Sequence, residues 1–252
     1  MNSTRLPLAR RLAAAHCGET LVRARGEAEI AGVEEAYAIQ DRVLAELARG
    51  ERATAWKVSP PRAGAVPLAS PVPPSGVHRS PVCLAAGART ILGIEAEVAF
   101  RFREAPPLGA NNVAEMAHSI GEALVLIELC ETRLADWDEA STLWKLADFQ
   151  SHGAFVLGTG TANWRAIDFG GQEAIVTVNG AVVARGVGSH PSGDPSALLP
   201  WAADHCARRG MPLAAGDVVT LGSWTGMTAL AAGDEALAVF PGIGEARLAL
   251  AR

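Results

Sequence analysis

Glu95 and Glu97 stand two residues apart in the stretch Gly93-Ile94-Glu95-Ala96-Glu97-Val98-Ala99-Phe100. On a β-strand, carboxylates at that spacing share a face, with Cα atoms roughly 6.7 Å apart. Side by side they repel unless water or a cation separates them. Oxygen donors of this kind suit a hard divalent ion such as Mg²⁺. The other reading is a half-exposed strand whose solvated face carries two acids, and the pair alone leaves both open. A third acid, Glu128, interrupts the apolar run Leu124-Val125-Leu126-Ile127-Glu128-Leu129-Cys130. A carboxylate there is costly unless it is paired, for instance with Arg133, or coordinates a metal. Together Glu95, Glu97 and Glu128 would make an octahedral site completed by waters and a substrate. Lys57, in Ala53-Thr54-Ala55-Trp56-Lys57-Val58-Ser59, is either a solvated edge residue or an acid/base group tuned by burial or a nearby cation.

These residues need strands to hold them, and the chain supplies the patterns. Ile94, Ala96, Val98 and Phe100 alternate with the acids and cover the opposite, apolar face of their strand. The run 124–130 is apolar on both faces, as in a strand buried on both sides. Residues 4–16 and 33–49 read as helices; in the second, Val33, Ala36, Tyr37, Gln40, Val43, Leu44 and Leu47 recur at spacings of three and four. Residues 60–81 carry seven prolines, which excludes a regular helix or a central strand and predicts a connection running past the site. Asn112 with Glu115 predicts a capped helix ending near Gly121. Asn179-Gly180 predicts the two-residue turn of a hairpin over 175–183. A strand is expected at 154–158, a helix near 195–209, a strand after Gly216 and a last strand pair at 238–240 and 246–250. Short strands with two helices among them after residue 90 predict an α+β domain with a rolled, mixed sheet.

The 252 residues are 49% hydrophobic and 19% charged, a globular balance, and suffice for a substantial core. A net charge of -5 without a basic, aromatic-interleaved stripe argues against nucleic acid. The N-terminal run Leu12-Ala13-Ala14-Ala15 is too short for a secretion signal, and no stretch approaches a membrane span. Cys17, Cys83, Cys130 and Cys206 are scattered without a C-x-x-C pair, which fits a reducing cytoplasm. A dinucleotide fingerprint, a Walker loop and a serine nucleophile elbow are all absent from the sequence.

Several of these pieces, in this order, resemble the 2-keto-4-pentenoate hydratase/4-oxalocrotonate decarboxylase family, a branch of the fumarylacetoacetate hydrolase superfamily. The matching segments are Ala36-Tyr37-Ala38-Ile39-Gln40, Trp56-Lys57-Val58, Gly93 to Phe100, Ile127-Glu128 with Thr132-Arg133, Ala147-Asp148, Val156-Leu157-Gly158, His190-Pro191, Ala215-Gly216-Asp217 and Gly222-Ser223. The likeness runs from about residue 30 to 245. It implies a mixed β-roll catalytic domain over 81–252, preceded by a helical segment, strand and proline-rich connection over 1–80. It also implies Glu95, Glu97 and Glu128 as ligands of Mg²⁺ or Mn²⁺, Lys57 as the acid/base, and Ser151 near the substrate. The implied reaction adds water to a 2-hydroxy-2,4-dienoate, as in meta-cleavage degradation of aromatic compounds. A 2-oxo acid chelating the ion through its carboxylate and keto oxygen would have its enolate stabilised.

The implied protein is a cytoplasmic homo-oligomer acting on a small 2-oxo or 2-hydroxy acid, with neither nucleic acid nor membrane as a partner. Two alternatives stay open: a 4-oxalocrotonate-type decarboxylase, and a catalytically silent subunit that keeps the metal pocket within a hetero-complex with a sister enzyme. A C–C bond hydrolase is less favoured, because its water-activating His/Glu pair has no counterpart that can be placed. The chain departs from the family pattern at Ser80, where an aspartate is expected, at Phe149-Gln150 in place of an Asn-Ala pair, and at Glu131 in place of Asp. The loop around Ser192-Gly193-Asp194 is lengthened.

Overall fold

A computed structural model of the chain describes residues 6–61, 65–86 and 90–252. Residues 4 and 5 of the expected first helix, and Gly64 of the proline-rich stretch, lie outside these. The chain begins with helices α1 (Leu6–His16) and α2 (Val33–Ala48), followed by strands β1 (Ala55–Ser59), β2 (Leu68–Pro71), β3 (Val77–Arg79), β4 (Val82–Ala85) and β5 (Ile91–Phe102). Then come α3 (Val113–Met116), β6 (Ile120–Glu131), α4 (Thr142–Ala147), β7 (His152–Thr161), β8 (Glu173–Val178) and β9 (Ala181–Val187). Helix α5 (Leu199–Arg208) and strands β10 (Val218–Ser223), β11 (Glu235–Phe240) and β12 (Gly244–Ala251) complete the order.

The strands form two mixed sheets, a seven-stranded one in the order β2-β1-β10-β5-β6-β7-β3 and a five-stranded one in the order β4-β12-β11-β8-β9. Pairings β1–β10, β3–β7 and β4–β12 are parallel and the others antiparallel. Strands β1, β2 and β3 belong to the same hydrogen-bonded sheet as β5, β6, β7 and β10, so this layer runs across residue 80.

Parity decides what each face of β5 and β6 meets. Ile94, Ala96, Val98 and Phe100 of β5, with Val125, Ile127 and Leu129 of β6, point into the main core with Ala236 and Ala238 of β11 and Ala246 and Leu248 of β12. A large apolar side chain fully buried there contributes about 1.5–3 kcal/mol. Ala99 of β5 and Leu124 and Leu126 of β6 point the other way, into a smaller cluster with Ala55, Val72, Phe155 and Val218. Both faces of β5 are therefore covered, and Glu97 and Glu128 are fully buried in place of the half-solvated acidic face that one reading allowed. Helices α1 and α2 pack in a separate cluster with Leu134, Trp144 and Phe149.

Asn179 (φ 51°) and Gly180 (φ 81°) supply the left-handed pair of the predicted hairpin turn. The proline-rich segment forms β2 and β3, which occupy the two edges of the large sheet, where a missing N–H is tolerated. Asn112 caps α3 by accepting the N–H groups of Ala114 and Glu115. The helix, however, ends at Met116, because Ile120 already pairs with Phe102 and the sheet ladder takes over. Helix α4 escapes the periodicity reading; Ser141 caps it by accepting the Trp144 N–H at 3.4 Å. Arg133, the arginine considered for Glu128, instead gives its Nε–H to Asp148 Oδ1 at 2.6 Å. All four cysteines are free thiols, and among the described residues no helix is long and apolar enough to cross a membrane.

Candidate active site

Strands β5 and β6 set Glu95 directly opposite Glu128 in the antiparallel register, so the two carboxylates share a face with Glu97 and Cys130. Ligand atoms of Glu95, Glu128 and Cys130 all lie within 4.8 Å of one another. Lys57 reaches this group from β1, which is separated from β6 by β10 and β5 in the sheet order. Its Nζ donates to Glu128 Oε1 at 2.6 Å and stands 3.8 Å from Glu95 Oε2. Such reach requires the seven-stranded sheet to curl around this face.

Glu97 lies beside the group, and its Oε2 accepts the hydroxyl of Thr220 on β10. A bulge between Thr220 and Ser223 allows this approach. Gly222 sits in the bulge at φ +119°, where an added Cβ would meet Pro60 at 2.9 Å.

Burial and neighbouring charge together set the titration of these groups. Burial, together with the neighbouring Glu128 and Glu95, pushes Glu97 up to about 8. Burial and Glu128 also raise Glu95, against the pull of Lys57. Burial opposes ionisation of Glu128 as well, yet the Lys57 ammonium and His152 hold it below the ordinary carboxylate range. For Lys57 the cost of burial is outweighed by Glu128 and Glu95, so its pKa lies above the usual value. The Cys130 thiol is pushed well up by burial and the adjacent carboxylates. Among the described residues, Glu97 Oε1 and Glu128 Oε2 are buried carboxylate oxygens without a hydrogen-bond partner. Three acids facing one ammonium, with two oxygens unbonded, fit a hard divalent cation.

The group opens onto a cavity of about 450 Å³. Lys57 and Glu95 line it, as do Ser151, Gln150, Trp137 and Lys145. Ser151 Oγ accepts the Trp137 indole N–H at 2.7 Å. The carbonyl of Gln150 accepts from Lys57 Nζ at 3.3 Å, and its side-chain oxygen accepts from Ser59 Oγ at 2.9 Å. Phe149, Gln150 and Ser151 have φ of 51°, 55° and 60°, three successive left-handed residues without glycine. Asp148 anchors this turn, taking the Thr132 hydroxyl and the Arg133 backbone N–H, each at 3.0 Å, besides the Arg133 guanidinium. His152, kept neutral by burial, stands 3.6 Å from Glu128 Oε1.

Lys57, Glu95 and Glu128 thus come together, Glu97 adjoins them through Thr220, and Ser151 lies on the wall of the same cavity. The sequence marks Gln150 only as a departure from the family pattern and does not point to His152, Cys130, Thr220, Trp137 or Lys145 as site residues. Only Cys130 carried a usable signal, standing two residues from Glu128 and hence on its face. Ser80 accepts the Arg247 N–H at 2.7 Å, on the side of β12.

Known proteins agree with this architecture. The family model for the fumarylacetoacetate (FAA) hydrolase C-terminal region matches residues 46–250. A 2-keto-4-pentenoate hydratase of Paraburkholderia phymatum is 32% identical over 154 residues, covering 61% of this chain and 58% of that protein. The matched part is therefore less than two thirds of that relative's length. The 2-keto-4-pentenoate hydratase 1 of Dechloromonas aromatica is 28% identical over 235 residues, 90% of this chain and 89% of that protein. The structure of 4-oxalocrotonate decarboxylase from Pseudomonas putida G7, complexed with magnesium and adipate, superposes with a TM-score of 0.87 over 99% of this chain and 98% of that one, at 20% identity. At that identity the likeness speaks for the fold, and the family match speaks for descent: the chain belongs to the fumarylacetoacetate hydrolase family.

Proposed function

We propose that this chain is a divalent-metal-dependent hydro-lyase that adds water to a 2-hydroxy-2,4-dienoate and releases a 4-hydroxy-2-oxo acid. The observation that carries the reading is Lys57 Nζ held between Glu128 and Glu95 at the wall of the cavity of about 450 Å³. The relatives named as 2-keto-4-pentenoate hydratases support the reaction class. Glu95, Glu97 and Glu128 would hold Mg²⁺ or Mn²⁺, which when bound supplies Lewis-acid polarisation of a chelating 2-oxo acid.

In this scheme the residues of the chain manage protons and position. The Lys57 ammonium gives a proton to the terminal carbon of the dienol and recovers one from the C2 hydroxyl, leaving a 2-oxo-3-enoate. Water then adds its oxygen to C4 and a proton to C3. The Gln150 carbonyl orients the ammonium, and Ser151 with Trp137 shapes the wall along the substrate. Loss of carbon dioxide from a vinylogous 2-oxo diacid would use the same site and is the competing reaction.

The enzyme would work in the cytoplasm as a homo-oligomer. Val182, Val183 and Val187, exposed on the sheet-edge strand β9, support self-association.

Incubating the protein with 2-hydroxypenta-2,4-dienoate, with and without Mg²⁺, tests the reading. Metal-dependent loss of the dienol absorbance without carbon dioxide is the expected result. Tight metal binding with no turnover of this acid or of 4-oxalocrotonate would overturn it and leave a silent subunit. Carbon dioxide release from 4-oxalocrotonate without hydration would make the chain a decarboxylase.

A further inference from the structure

A second cation stands on the wall of the same cavity, well apart from the acids in sequence. Lys145, on α4, lines it together with Thr142 and Trp137. Its ammonium lies over the Trp137 ring, 4.3 Å from the centroid. This contact fixes the charge against an aromatic face while leaving the ammonium's hydrogen-bond donors available. Among the described residues Lys145 forms no ion pair, and two of the three acids of the preceding loop, Asp136 and Glu139, face other groups. Asp136 accepts the backbone N–H groups of Ala24 and Arg25, each at 2.8 Å, and Glu139 faces Arg25 at 3.7 Å.

The two cations are linked along the wall. Lys57 donates to the Gln150 carbonyl, Ser151 follows Gln150, Ser151 accepts from Trp137, and Lys145 covers Trp137. Leu92, Leu146 and Met227 supply apolar lining. A ligand that fits has a chelating end at the carboxylates, a hydrocarbon middle and an anionic end at Lys145.

We propose that Lys145 is a specificity-determining residue that receives a second, distal carboxylate, so that the preferred substrate is a short dianionic 2-oxo or 2-hydroxy acid. This rests on reading the cavity as a 2-oxo acid site and names the class of acid it takes.

The test is binding of 2-oxoadipate and 2-oxohexanoate to the Mg²⁺-loaded protein by calorimetry, since the two differ only at the far end. One charge-assisted contact predicts about tenfold tighter binding of the diacid. In Lys145→Met the affinity ratio falls to about one, while Lys145→Arg keeps a preference. Equal affinities in the wild type, or an unchanged ratio in both Lys145→Met and Lys145→Gln, overturn the role of Lys145 and leave the 2-oxo acid site standing. Failure of either acid to bind the Mg²⁺-loaded protein overturns that site, and this inference with it.

Discussion

Lys57, Glu97 and Glu128 are all buried, but they hold their protons very differently, and substitution should expose the difference. Glu128 is ionised and bonded to Lys57 at 2.6 Å. In Glu128→Gln the buried ammonium keeps only Glu95, at 3.8 Å, as a charged partner. Denaturant unfolding of that metal-free variant should show a loss of about 3 kcal/mol, the low end for breaking a buried pair. Glu97, pushed up to about 8, is protonated at neutral pH without a cation, so Glu97→Gln should leave stability nearly unchanged while weakening Mg²⁺ binding. The sign of the pH effect follows. Between the ordinary carboxylate value and about 8 the folded chain binds a proton that the unfolded chain does not, so Glu97 costs stability as pH rises through that window. Melting curves of the metal-free protein from pH 5 to 8 should therefore fall more steeply for the wild type than for Glu97→Gln. Lys57→Ala should cut turnover by about 10²–10⁴-fold without loss of metal affinity, because the ammonium repels an incoming cation. Equal turnover in that variant would remove Lys57 from the chemistry.

The strands and the turn that carry these residues were unequally legible. Glu95 and Glu97 could be read because period-two alternation on β5 survives in the sequence, and Glu128 because it interrupts the apolar run of β6. Their burial could not, since it depends on the curl that brings β1 across to β6 and on the cluster of Ala55, Val72 and Phe155 covering the second face. Gln150 and His152 were hidden for another reason. The left-handed turn at 149–151 has no glycine to announce it and is imposed from outside by Arg133, Thr132 and Asp148. This predicts a coupling between distant residues. Asp148→Asn should destabilise the fold by about 3 kcal/mol by leaving the buried Arg133 guanidinium uncompensated. It should also lower kcat, because the Gln150 carbonyl is freed from Lys57. A stability loss with unchanged kcat would confine Asp148 to scaffolding.

For the molecule as a whole, the fold supplies one curled sheet whose inner face carries chemistry and a second sheet that closes the core and ends in an apolar edge. Val182→Lys combined with Val187→Lys on that edge should shift sedimentation toward the monomer if β9 joins copies of the chain, and leave it unchanged if another surface does. The placement of Lys57 carries a further consequence. Because an amine delivered by the sheet's own curl already answers part of the acids' charge, the scaffold has a resident counter-ion. On the proposed reading, removing the divalent ion with a chelator should then abolish turnover yet move the melting temperature little, so that the same polypeptide can be emptied and refilled without ever unfolding.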